Sequence, residues 1–90
     1  MAEIMKKAVA GTMESSDVYV EIEPGNGQLE ICLESVVKVQ YGAAIEATVR
    51  DVLNELDVAD ACVRVNDRGA LDCVIRARVE TAVLRGKGDV

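Results

Sequence analysis

The run DVYVEIEPGNGQLEICLE, residues 17–34, decides how the rest of the chain must be arranged. Val18, Val20 and Ile22 alternate with Tyr19, Glu21 and Glu23, the period-two pattern of a strand with one buried face. Pro24-Gly25-Asn26-Gly27 is a turn signal, because Pro presets φ and both Gly and Asn accept left-handed backbone. Alternation resumes over 28–34, with Leu29, Ile31 and Leu33 inward and Glu30 and Glu34 toward solvent. The expected unit is an antiparallel hairpin with a four-residue loop.

Upstream of the hairpin, residues 8–11 read as a short extended segment. Downstream, Ser35 is placed to cap a helix, and the period changes to 3.6. Val37, Tyr41, Ile45, Val49, Val52, Leu53 and Leu56 then share one face. Gly42 weakens that helix by ~1 kcal/mol relative to Ala and is expected to permit close packing on a sheet. Residues 61–65 form a further strand and 66–69 a turn. A second helix is expected over 70–85, burying Leu71, Val74, Ile75, Val79, Ala82 and Val83 and stopped by Gly86. Asp72, Arg76 and Glu80 are spaced as a surface charge stripe. The order β-β-β-α-β-α predicts an α+β fold: a small antiparallel or mixed sheet of three to four strands, with both helices on one face.

Ninety residues make one domain, 1–90, with 1–7 and 87–90 expected to be mobile. Half the residues are apolar, but there is no Phe or Trp, so aliphatic side chains must fill the core. The net charge of −6 argues against sequence-independent nucleic-acid binding, which needs a basic surface. Acids dominate residues 1–35 and bases residues 61–90, an asymmetry that can orient partners or be ordinary surface charge. No secretory signal, long apolar run or lipidation box is present, so the expected location is cytoplasmic, away from membranes.

The chain has no His, which removes Ser–His and Cys–His nucleophiles; a Ser–Lys pair would have to use Lys6 or Lys7, which precede the first strand in a terminus expected to be mobile, and no catalytic residue is assigned. No metal site is expected: Cys32, Cys62 and Cys73 lie far apart with no CxxC pair. Cys62 and Cys73 are expected as core thiols, and the exposure of Cys32 is left open. The carboxylate pairs on the two strands read as solubility and edge protection. That leaves GTMESSDV, residues 11–18, a turn with two adjacent serines. Ser, Asp and Gly suit turns for local hydrogen-bonding reasons alone. A serine here can also be an acceptor, provided an external enzyme activates and reaches it.

The stretch AVAGTMESSD, residues 8–17, resembles the N-terminal segment of the acyl carrier (gamma) subunits of citrate lyase. Gln40-Tyr41-Gly42 with Ile45, and DRGALDCVIRARVE over 67–80, match the same family in order and spacing, so the resemblance spans about residues 8–85. It implies a non-catalytic carrier. A serine would bear 2'-(5''-phosphoribosyl)-3'-dephospho-CoA through a phosphodiester, and its thiol would hold the acetyl and citryl thioesters. The implied partners are the alpha (acyl transferase) and beta (citryl lyase) subunits and a prosthetic-group transferase. The matching position is Ser15. Ser16 stands where the family often has Gly and is the second candidate. The Asp-Ser-Leu motif of helical carriers is absent, so a different fold is implied. Arg78 and Arg85, seven apart on one helix face, are candidates for docking an acidic partner or the phosphates of the arm. Two alternatives remain: the carrier of a malonate decarboxylase or citramalate lyase, or a small interaction module without a prosthetic group.

Overall fold

A computed structural model describes residues 3–36 and 38–88. Its elements are β1 (Ala8–Gly11), β2 (Val18–Glu23), β3 (Leu29–Ser35), α1 (Lys38–Glu55), β4 (Ala61–Asp67) and α2 (Asp72–Lys87). The four strands form one mixed sheet in the order β1-β2-β4-β3. β2 is antiparallel to β1 and to β4, and β3 is parallel to β4. The expected element order, fold class and mixed sheet are all present.

The expected hairpin between β2 and β3 is not: β4 lies between them. Charge gives a reason. A four-residue loop would set Glu21 directly opposite Glu30, and like charges across a strand pair are destabilising. With β4 inserted, Glu21 instead faces Arg64, whose Nη1 lies 3.3 Å from Glu21 Oε1. The Pro24–Gln28 connection crosses the start of β4, where Gly27 N–H donates to Asp60 Oδ1 (3.0 Å) and Ala61 N–H to the Gln28 carbonyl (3.2 Å). A Cβ on Gly25 would lie 2.8 Å from Ala61 N and 2.9 Å from the Gln28 carbonyl oxygen, both backbone, so this crossing requires glycine. β4 is the strand suited to the centre, since Ala61, Val63 and Val65 are all buried.

Both helices cover one face, α1 over β3 and α2 over β1 and β2. The core joins Val18, Val20 and Ile22 of β2 to Val63 and Val65, to Ile45, Val49, Val52 and Leu53 of α1, and to Ile75, Val79, Ala82 and Val83 of α2. α1 ends in a Schellman motif: Asp57 is left-handed (φ 64°), Val58 N–H reaches the Leu53 carbonyl and Asp57 N–H the Asn54 carbonyl. The expected helix-start residues Ser35 and Val37 differ in standing. Ser35 closes β3, while Val37 lies outside the described residues.

Two of the large apolar side chains assigned to the core are exposed. Tyr41 lies in the first turn of α1 and Leu71 one residue ahead of α2, both beyond the sheet's end, where no strand covers them. Gly86 does not stop α2. It is buried inside the helix, where a Cβ would lie 3.2 Å from Ile4 Cγ2 and 3.3 Å from Ile22 Cγ2, and the left-handed cap is Gly88 (φ 82°). The close approach at Gly86 also docks Ile4, Met5 and Lys6, which lie within the N-terminal stretch expected to be mobile. Ile4 is buried, and the N–H groups of Met5 and Lys6 both reach the Gly86 carbonyl, at 2.8 and 3.2 Å.

Candidate functional site

Register places the functional candidates together. Gly11 pairs with Tyr19, and both Val18 and Ser35 pair with Asp67. The β1–β2 loop (12–17), the β3–α1 junction and the β4–α2 turn (68–71) therefore share one end of the sheet. The AVAGTMESSD and DRGALDCVIRARVE stretches, two of the three that carry the family resemblance, meet there.

The β1–β2 loop is fastened at several points. Arg68 brackets it with its backbone: Ser16 N–H donates to the Arg68 carbonyl (2.8 Å) and Arg68 N–H to the Asp17 carbonyl (2.9 Å). Asp17 is its ionic anchor. Its carboxylate accepts from Thr12 Oγ1 (2.7 Å) and Val18 N–H (2.7 Å), and from Arg78 through Nε and Nη2, both at 3.1 Å. The Arg78 contact is the two-pronged guanidinium–carboxylate fork. The Thr12 hydroxyl first, then the Val18 amide and Arg78, lower the Asp17 pKa from 3.8 to about 2. Thr12 Oγ1 in turn accepts from Glu14 N–H at 3.2 Å. At the base, Gly11 has φ +89°, and a Cβ there would fall 1.8 Å from the Val18 carbonyl oxygen, so only glycine fits.

The tip is a turn over Glu14–Asp17, closed by Asp17 N–H on the Glu14 carbonyl at 3.2 Å. Ser15 and Ser16 are its central residues, and both are exposed. Ser16 has φ +63°, and Ser15 is not among the positive-φ residues, the pattern of a type II turn that favours glycine at the Ser16 position. Neither serine hydroxyl has a hydrogen-bond partner among the described residues. Sequence reasoning found Ser15 and Ser16 but missed their supports, and Asp67 above all. That buried carboxylate accepts from Ser35 Oγ (2.8 Å) and Ala70 N–H (2.9 Å), and the Asp67 carbonyl accepts from Val36 N–H (3.2 Å). It joins the β3–α1 junction to the β4–α2 turn.

Of the two arginines expected at a docking face, Arg78 holds Asp17, and Arg85 donates from Nη1 to the Val9 carbonyl on edge strand β1 (2.8 Å). The expected stripe along α2 becomes a bridge between helices: Arg76 reaches Asp51 (3.0 Å) and Glu55 (2.9 Å) of α1, and Asp72 accepts from Thr48 Oγ1 (2.6 Å). Cys73 is exposed rather than in the core, because it falls on the solvent side of the first turn of α2. Cys32 is exposed on the uncovered sheet face. Cys62 is half-buried on that face rather than in the core, because Ala61, Val63 and Val65 take the inward positions of β4, and burial pushes its thiol pKa up. Four large apolar side chains are exposed at the serine end: Met13 (48%), Val36 (63%), Tyr41 (58%) and Leu71 (72%). Beside them is a cleft of about 310 Å³ lined by Tyr41, Ala44, Ile45, Ala70 and Ile75. Among the described residues there is no cluster able to hold a metal and no helix long and apolar enough to cross a membrane.

Comparison with known proteins agrees with this arrangement. Residues 5–86 match the acyl carrier family model described as malonate decarboxylase delta subunit (MdcD). The citrate lyase acyl carrier protein of Albidiferax ferrireducens is 53% identical over 88 residues, covering 97% of this chain and 90% of that one. That of Haemophilus influenzae is 55% identical over 82 residues, covering 91% and 85%. In fold the chain is similar to a chain in a crystal structure of a Pseudomonas malonate decarboxylase hetero-tetramer in complex with malonate. The TM-score is 0.80 at 23% identity, over 92% of this chain and 86% of that one. The chain therefore belongs to the acyl carrier family that includes the citrate lyase acyl carrier proteins.

Proposed function

We propose that this chain is the acyl carrier subunit of a citrate lyase, with 2'-(5''-phosphoribosyl)-3'-dephospho-CoA joined through a phosphodiester to Ser15. The observation that carries the reading is Ser15 itself: an exposed hydroxyl, unpartnered among the described residues, at the tip of a loop that Arg68, Asp17 and Arg78 hold against the domain. The site fits a bulky attached group, because Ser15 is exposed at the tip of a loop at the sheet's end. When attached, the group supplies a thiol that carries acyl units as thioesters. The chain's part is to hold its anchor still and keep the tip open to other enzymes. A flexible tether on a fixed base raises the local concentration of its end at more than one partner site.

The relatives at 53–55% identity favour citrate over malonate as the acid, since the malonate decarboxylase likeness is at 23%. The proposed partners are the alpha and beta subunits of citrate lyase and a prosthetic-group transferase, all in the cytoplasm. Exposed Met13, Val36, Tyr41 and Leu71 give them an apolar surface around the anchor, of the kind that marks interaction sites. Arg85, whose bond is to the neutral Val9 carbonyl at the β1 edge, is proposed to add a contact to an acidic partner surface, while Arg78 is held by Asp17. Reconstitution with citrate lyase partner subunits tests the reading. Ser15→Ala is expected to abolish citrate cleavage and Ser16→Ala to retain it. A silent Ser15→Ala would make the loop only a turn in an interaction module. Activity with malonate decarboxylase partners alone would move the chain to that complex.

A further inference from the structure

The geometry points to Arg68 as the residue that binds the phosphodiester formed at the anchor serine, an inference that rests on the carrier reading. A phosphodiester at Ser15 would place a fixed negative charge between Glu14 and Asp17, in a chain that already carries −6. The Asp17 charge is matched by Arg78, and Glu14 has no cationic partner among the described residues. A new anion here therefore needs a cation of its own. Arg78 is paired with Asp17, and Arg64 and Lys7 with Glu21, while Arg85 is held on strand β1 by the Val9 carbonyl.

Arg68 differs from these in two respects. Its backbone is joined to Ser16 and Asp17 of the serine turn by two hydrogen bonds, at 2.8 and 2.9 Å, so its side chain starts one residue from Ser15 in that turn. Its side chain is exposed and has no partner among the described residues. A guanidinium presents paired N–H groups in a plane that matches two phosphate oxygens, which an ammonium cannot do. The turn that fixes the anchor thus also delivers a fork to the charge created there. Arg68 acts toward the linkage, not toward the acyl end of the arm.

The test uses the full chain produced with its prosthetic-group transferase, loading first being verified by intact mass. The probes are the Arg68 Nε–Hε resonance and the ³¹P resonance of the phosphodiester, in the wild type, Arg68→Gln and Arg68→Lys. Because Arg68 holds the loop through its backbone, Gln leaves both bonds in place, and the Ser16 amide resonance reports this. The expected result is an Arg68 Hε that moves on loading and exchanges with water about tenfold more slowly. The ³¹P resonance is expected to shift in Arg68→Gln and to return part of the way in Arg68→Lys. A loaded chain with an unmoved Arg68 Hε and the same ³¹P shift in all three proteins would overturn the inference and leave the carrier reading standing. A chain that stays unloaded beside its active transferase would overturn both.

Discussion

Gly11 and Gly69 have nearly the same backbone, φ +89° and +90°, but different surroundings. Alanine at either site forces a β-carbon into left-handed backbone, at about 1–2 kcal/mol. Part of that is returned because Ala restricts the unfolded chain, by about 0.4–1 kcal/mol. At Gly69 nothing lies within 4 Å of the new atom, so Gly69→Ala is expected to cost about 1 kcal/mol in all. At Gly11 the new atom would sit 1.8 Å from the Val18 carbonyl oxygen and 3.0 Å from its carbon, both backbone. Those atoms yield only if the β1–β2 pairing opens, which adds about 1–3 kcal/mol by analogy with overpacking. Arg78 Cδ is 3.3 Å away, so the displacement also disturbs the Asp17 fork. For a domain of this size each kcal/mol lowers Tm by about 4–8 °C. Gly69→Ala is expected to lose about 5 °C and Gly11→Ala ~15 °C or more, with urea midpoints falling in the same order. Equal losses in the two variants would refute the steric account of the loop base.

Three further outcomes follow from the same geometry. The carboxylate of Asp17 ionises more readily in the folded chain, at about pH 2 against 3.8. Its contribution is therefore complete above about pH 4 and lost as pH falls toward 2, and Asp17→Asn is expected to flatten that part of the stability–pH curve measured by urea titration. Relieving the left-handed serine with Ser16→Gly is expected to stabilise the chain by about 0.5–1 kcal/mol in the same assay, without loss of loading at Ser15. Alkylation at pH 8 followed by peptide mapping is expected to label Cys32 and Cys73 before Cys62, whose thiol is half-buried and shifted upward; Cys62 reacting first would contradict the placement of β4.

Alternation made β2 and β3 legible, because a half-buried strand writes its burial into every second residue. Their separation was not legible as a motif, since Pro24–Gly27 suits a tight hairpin and a strand crossing equally. The like-charge opposition of Glu21 and Glu30 was the available signal against the hairpin. The inward faces of α1 and α2 were legible over the sheet and misread at their ends: Tyr41 and Leu71 keep the apolar character of the core positions but lie past the strands. Gly86 was read as a stop because glycine serves both as a cap and as a point of close approach, and only Ile4 and Ile22 distinguish the two. Ser15 came from family resemblance, since its local pattern is that of any polar turn. The supports of the loop were invisible for a different reason. Asp17 and Arg78 are sixty-one positions apart, and no local spacing records a pair made by folding β1–β2 against α2.

The central claim is that Ser15 bears a covalent arm, and the most direct measurement is the intact mass of this chain isolated from its native complex, followed by peptide mapping. The account predicts a chain heavier by one phosphoribosyl-dephospho-coenzyme A unit, with the added mass on the peptide containing Ser15, lost in Ser15→Ala and retained in Ser16→Ala. An unmodified chain from an active complex would contradict it.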